Sequence, residues 1–74
     1  MKYYYEIMKE LREDSDKSQK EIANVLGIDQ SYYSKYEKGI REFPIHHLIT
    51  LCNFYKVSAD YILGIPYNYN RPER

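Results

Sequence analysis

Hydrophobic residues return along this chain with the period of a helix. Tyr4, Ile7, Met8 and Leu11 fall at i, i+3, i+4 and i+7, which predicts a helix over roughly 2–14. Ile45, Leu48, Ile49, Cys52 and Tyr55 repeat the spacing and predict a second helix over roughly 44–56, with Pro44 in its first turn. Between them, Ser18-Gln19-Lys20-Glu21 is a capping box, in which Ser18 caps the helix and Glu21 reaches back to it. Asp29 and Ser58 are N-cap residue types ahead of two further helical segments. Val57 and Ile62 stand at the two positions of a hydrophobic staple.

The three glycines close three of these segments. Gly27 follows Ile22–Leu26, Gly39 follows Tyr36-Glu37-Lys38, and Gly64 follows Tyr61-Ile62-Leu63. No stretch alternates with period two for long, and no hairpin dipeptide is present. The expectation is an all-α chain of five short helices. Residues 1–64 are expected to form the domain. The tail 65–74, rich in Tyr, Asn and Pro, has no periodicity and is expected to be a loose arm.

Composition narrows the function. A chain of 74 residues has room for one small domain, so a dimer contact would have to come from the bundle itself. A single cysteine rules out an internal disulfide and a multi-cysteine zinc site. No apolar run is long enough for a membrane span and no signal-peptide pattern opens the chain, so a soluble cytoplasmic domain is expected. Net charge is zero, unlike that of a strongly basic nucleic-acid binder. The charges are nonetheless uneven. Residues 6–16 carry an acidic excess, whereas 17–41 set Lys17, Lys20, Lys35, Lys38 and Arg41 against Glu21, Asp29 and Glu37.

Two helices lie very close in sequence. Those at about 18–26 and 30–38 are joined only by Gly27-Ile28-Asp29, a connection that makes a helix-turn-helix. Ala23 sits where the two backbones should come nearest. Ile22, Leu26, Ile28, Tyr33 and Tyr36 are expected to point inward, and Gln30, Ser31, Tyr32, Ser34 and Lys35 outward. The outward set is made of hydrogen-bonding types on a helix of a size to enter a major groove. Tyr4, Tyr55 and Tyr61 are expected to join the core, as is Cys52 in the role of a small hydrophobe.

These residues resemble the lambda-repressor/Cro-type helix-turn-helix domain, the XRE family of transcriptional regulators. The likeness runs from Ser18-Gln19-Lys20-Glu21-Ile22-Ala23 through Gly27-Ile28 and Ser34-Lys35-Tyr36-Glu37-Lys38-Gly39. It continues through Arg41-Glu42-Phe43-Pro44 to Val57-Ser58-Ala59-Asp60-Tyr61-Ile62-Leu63-Gly64. It implies a compact five-helix lambda-repressor-like fold and a sequence-specific DNA-binding repressor acting as a homodimer on a palindromic operator. Gln30, Ser31, Tyr32 and Lys35 would then read bases in double-stranded DNA. Gln19, Lys38 and Arg41 would hold phosphate. The dimer surface would be helix 58–63 with the tail.

Two residues depart from the family pattern. Tyr33 fills a slot usually held by a β-branched aliphatic residue, and Asp29 would repel phosphate unless capping absorbs its charge. A second reading is a partner-binding module of antitoxin or antirepressor type that uses the tyrosine-rich tail. No catalytic motif or glycine-rich phosphate loop is present, so neither an enzyme nor a cofactor is expected. His46 and His47 are adjacent and point about 100° apart on a helix, which is unsuited to chelating one metal ion.

Overall fold

The computed structural model describes residues 2–65, so the expected tail lies outside the described residues apart from Ile65. Five helices follow in order: α1 (Tyr4–Asp14), α2 (Gln19–Leu26), α3 (Gln30–Glu37), α4 (Ile45–Tyr55) and α5 (Ala59–Leu63). There is no strand among the described residues. The most extensive packing between helices is that of α2 on α3, with α1 laid across α3 and α5, and α5 also against α4. One cluster holds them together: Met8, Ile22, Ala23, Leu26, Tyr33, Tyr36, Leu48, Leu51 and Ile62.

Local chemistry sets the helix ends. Ser18 Oγ accepts from the Glu21 N–H at 3.1 Å, and the Ser18 N–H donates to Glu21 Oε1 at 2.9 Å, closing the predicted capping box. Ser58 caps α5 by accepting from the Tyr61 N–H. Asp29 takes the extended N-cap backbone ahead of α3, but its side chain makes no capping hydrogen bond. Its charge is therefore not absorbed in the way the sequence invited. Pro44 stands one place earlier than expected, as the N-cap residue of α4.

At the other ends a single turn recurs. After each helix one residue enters the left-handed region: Asp16, Gly27, Gly39, Lys56 and Gly64. The next N–H then reaches back five residues, as from Ile28 to Ala23 O and from Ile40 to Lys35 O, both at 3.0 Å. Glycine marks three of the five turns in the sequence. Asp16 and Lys56 adopt the same conformation without that marker.

Helix α4 departs from expectation in phase. Its buried residues are His47, Leu48 and Leu51, with Cys52 and Tyr55 packed at the edge of the core. Ile45 and Ile49, expected inside, are 68% and 56% exposed. The helix is apolar on most of its circumference, so periodicity alone admits more than one inward face. The neighbouring Phe43 ring meets Tyr36 edge-on at 4.9 Å, and His47 lies against both rings. Tyr61 also departs, at 57% exposure, because a five-residue helix turns only Ile62 fully inward.

Candidate nucleic-acid interface

Helix α3 presents two unlike sides. On the inner side Tyr33, Tyr36 and Glu37 are buried. A buried carboxylate has to be paired, and Glu37 is paired fully. Arg12 donates from Nε to Glu37 Oε2 at 2.7 Å and from Nη2 to Oε1 at 3.1 Å. The Tyr33 hydroxyl donates to Oε2 at 2.6 Å and Gln19 Nε2 to Oε1 at 3.0 Å. The remaining Arg12 nitrogen, Nη1, donates to Lys17 O at 2.8 Å. One carboxylate thus ties together α1, the head of α2 and the end of α3.

The electrostatics follow from that crowding. Burial alone would push the Glu37 carboxyl up, but the hydrogen bonds from Arg12, Tyr33 and Gln19 outweigh it and hold the group below its ordinary value. The bond to Glu37 raises the Arg12 guanidinium against the opposing effect of burial. Burial, and then the bond to Glu37, raises the Tyr33 phenol. The unusual tyrosine in the slot beneath α3 is accommodated because its hydroxyl has an acceptor there.

Sequence reasoning missed this network. A signal was present: Glu37 follows the inward Tyr33 by four residues, so it shares that residue's helical face. Arg12, placed 25 residues away, carries no local mark of its partner.

The outer side of α3 is open. Gln30, Ser31, Tyr32 and Lys35 are exposed, whereas Ser34, expected with them, is half-buried. The inner network occupies Arg12, Gln19, Tyr33 and Glu37, and the side chains of Gln30, Ser31 and Lys35 have no hydrogen-bond partner among the described residues. Lys38 is exposed at the C-terminal end of α3, and Arg41 is exposed in the loop beyond it.

That loop folds back on the helix. Gly39 turns with φ +74°, and a side chain there would also strike the Tyr5 ring, since its Cβ would stand 2.7 Å from Tyr5 Cζ. The turn places the Arg41 guanidinium 5.3 Å from the centre of the Tyr32 ring. Tyr32, Lys35 and Arg41 consequently border one open notch of about 520 Å3. The family resemblance implies phosphate for Arg41 and bases for the other two; here the three share a surface. Gln19 is placed differently from them. It is half-buried and its side-chain amide is spent on Glu37.

A short helix pair joined by Gly27-Ile28-Asp29, with the second helix sealed on one side and open on the other, is a helix-turn-helix module. The Helix-turn-helix family pattern matches residues 8–62, and the chain belongs to that family, in its lambda-repressor/Cro-type (XRE) branch. Three similar proteins come from Bacillus subtilis strain 168. The HTH-type transcriptional regulator ImmR is 40% identical over 57 residues, covering 77% of this chain and 45% of that protein. The uncharacterised HTH-type transcriptional regulator YobD is 34% identical over 62 residues, covering 84% and 55%. The uncharacterised HTH-type transcriptional regulator YqaE is 37% identical over 60 residues, covering 81% and 52%. The chain therefore spans about half the length of the curated relatives it matches. No solved structure matches it. Among the described residues no helix is long and apolar enough to cross a membrane.

Proposed function

We propose that this chain is a DNA-binding module of a cytoplasmic transcriptional regulator, a repressor, that lays α3 into the major groove of duplex DNA. The observation that carries this reading is the division of α3, whose inner side is locked by Glu37 while its outer side keeps its hydrogen-bonding groups free. Gln30, Ser31 and Lys35 face the bases in this pose, with Tyr32 exposed beside them at the groove. Lys38 and Arg41 meet phosphate. Gln19 contributes through its backbone N–H, which stands in the first turn of α2 where no intrahelical acceptor exists, while its side chain braces Glu37. Three relatives named as HTH-type transcriptional regulators support the assignment.

The module acts as a homodimer on a palindromic site, through α5 and the tail. Exposed Tyr61, Leu63 and Ile65 at α5 support that surface. Selection of binding sites from random duplex DNA tests the whole reading. The expected result is a two-fold symmetric site whose half-sites lie about 10 base pairs, or about 34–36 Å, apart. Enrichment of asymmetric sites would remove the dimer and keep the DNA. A second reading, a module that binds another protein, is favoured by zero net charge and by the exposed Ile45 and Ile49. No enrichment of any sequence would make that the better account.

A further inference from the structure

Two features of Arg41 set it apart from Arg12. Arg12 commits Nε, Nη1 and Nη2 to hydrogen bonds within the chain. The Arg41 guanidinium has no hydrogen bond and no carboxylate within salt-bridge distance among the described residues, although Glu42 borders the same notch. Its guanidinium stands over the Tyr32 ring, 5.3 Å from the centroid. A ring face attracts a cation without using any of its N–H donors. The arrangement therefore restrains the side chain and leaves its five donors free for a ligand.

The support beneath the ring reaches the core. Tyr32 stacks on Tyr36 with centroids 5.4 Å apart, and Tyr36 is 3% exposed and wedged edge-on against Tyr33 and Phe43. The backbone brings Arg41 to this spot through the Gly39 turn, with the Ile40 N–H on Lys35 O. A restrained arginine loses less freedom on binding than a free one, and its planar fork suits a phosphate.

Resting on the DNA-binding reading above, we infer that Tyr32 is a positioning residue for Arg41: its ring presets the guanidinium to grip a backbone phosphate instead of reading a base. Tyr32 then contributes to affinity for every duplex, and its hydroxyl is dispensable.

The test is a double-mutant cycle on the full chain, with its selected duplex and a scrambled duplex, titrated over a range of salt concentrations. Tyr32→Leu should weaken both complexes about 2- to 5-fold. It should also reduce the slope of log K against log salt by about one unit, although no charge has been removed, because Arg41 releases its phosphate. Tyr32→Phe should bind like the parent. In an Arg41→Ala background Tyr32→Leu should cost nothing further. A loss confined to the selected duplex at unchanged slope would make Tyr32 a base reader and overturn the inference. So would additive losses, or a Phe variant as weak as Leu.

Failure of the inference and failure of the reading it rests on are separable. If the parent binds and Arg41→Ala lowers the slope while Tyr32→Leu does not, only the inference falls. If the parent shows no salt-dependent duplex binding, both fall. Should Tyr32→Leu not fold, proton NMR of the free parent decides: Arg41 side-chain resonances shifted upfield by the ring support the contact, and unshifted ones overturn it.

Discussion

The inner and outer sides of α3 use the same chemical vocabulary to opposite ends. Arg12 and Tyr33 meet inside on Glu37, where every polar atom is matched within the chain. Arg41 and Tyr32 meet outside, face to ring, and none of the guanidinium donors is used. Burial explains the difference. An unpaired charge inside costs several kcal/mol, so the Glu37 carboxylate and its partners are closed on one another. At the surface water satisfies the donors until a ligand takes them. Substitutions on the inner side should therefore destabilise the chain, and those on the outer side should weaken only what it binds.

The sharpest way to break this contrast is Glu37→Ala. It strands the Arg12 charge against α1 and should cost about 3–5 kcal/mol. In a domain of this size that is most of the stability, so thermal melts followed by circular dichroism should show little folded chain at about 37 °C. A melting temperature within a few degrees of the parent would mean that the network does not hold α3 in place.

Ala23→Leu comes next. Ala23 is 1% exposed within the α2–α3 pair, and overpacking there should cost about 1–3 kcal/mol. DNA affinity should fall with it, since α3 would shift on its support. A variant that melts and binds like the parent would remove the close approach of the two helices from the account.

Gln30→Ala reverses the pattern. It should leave the melting temperature nearly unchanged and cost about 1–3 kcal/mol on the preferred duplex, with little loss on random DNA. Equal losses on both duplexes would take Gln30 off the reading surface.

Acid should erode the inner side in two stages. Burial, aided by the neighbouring His46, holds His47 below its ordinary 6.5. The unfolded chain thus takes up that proton first, and stability declines as pH falls below about 6.5. Glu37 is held below its ordinary 4.5 by its donors, and Glu21 by its bonds with Ser18. Their contribution is complete above about 4.5 and is lost as pH falls through the folded values. Melting temperatures measured from about pH 8 to about pH 3 should show both declines, and His47→Phe should abolish only the first. A flat profile between about pH 7 and about pH 5 would contradict the burial of His47.

The smallest effect is expected at Tyr55, whose hydroxyl is the one buried side-chain polar atom left unpartnered among the described residues. Burial pushes this phenol up to about 12. Tyr55→Phe should be neutral or stabilising by up to about 1 kcal/mol, because it removes an unmatched group without emptying space. A clear drop in melting temperature would reveal a partner for the hydroxyl.

Much of this molecule is written locally. The capping serines, Glu21 and the three glycines mark where helices start and stop, since those choices depend on backbone dihedrals and on hydrogen bonds within a few residues. The helical period sets Tyr33 and Tyr36 apart from Ser31 and Lys35, so most of the division of α3 is legible in the order of residues. Gln30, three residues before Tyr33, is exposed only because it opens the helix. Tertiary packing decided the rest. It chose which part of the broad apolar face of α4 turns inward, leaving Ile45 and Ile49 outside. It joined Arg12 to Glu37 across 25 residues and drew the Gln19 side chain into the same bond set. It set Arg41 over Tyr32. In each case the partner belongs to another element, and the choice follows from how whole helices and the turn at Gly39 dock, which no local pattern of residue types encodes.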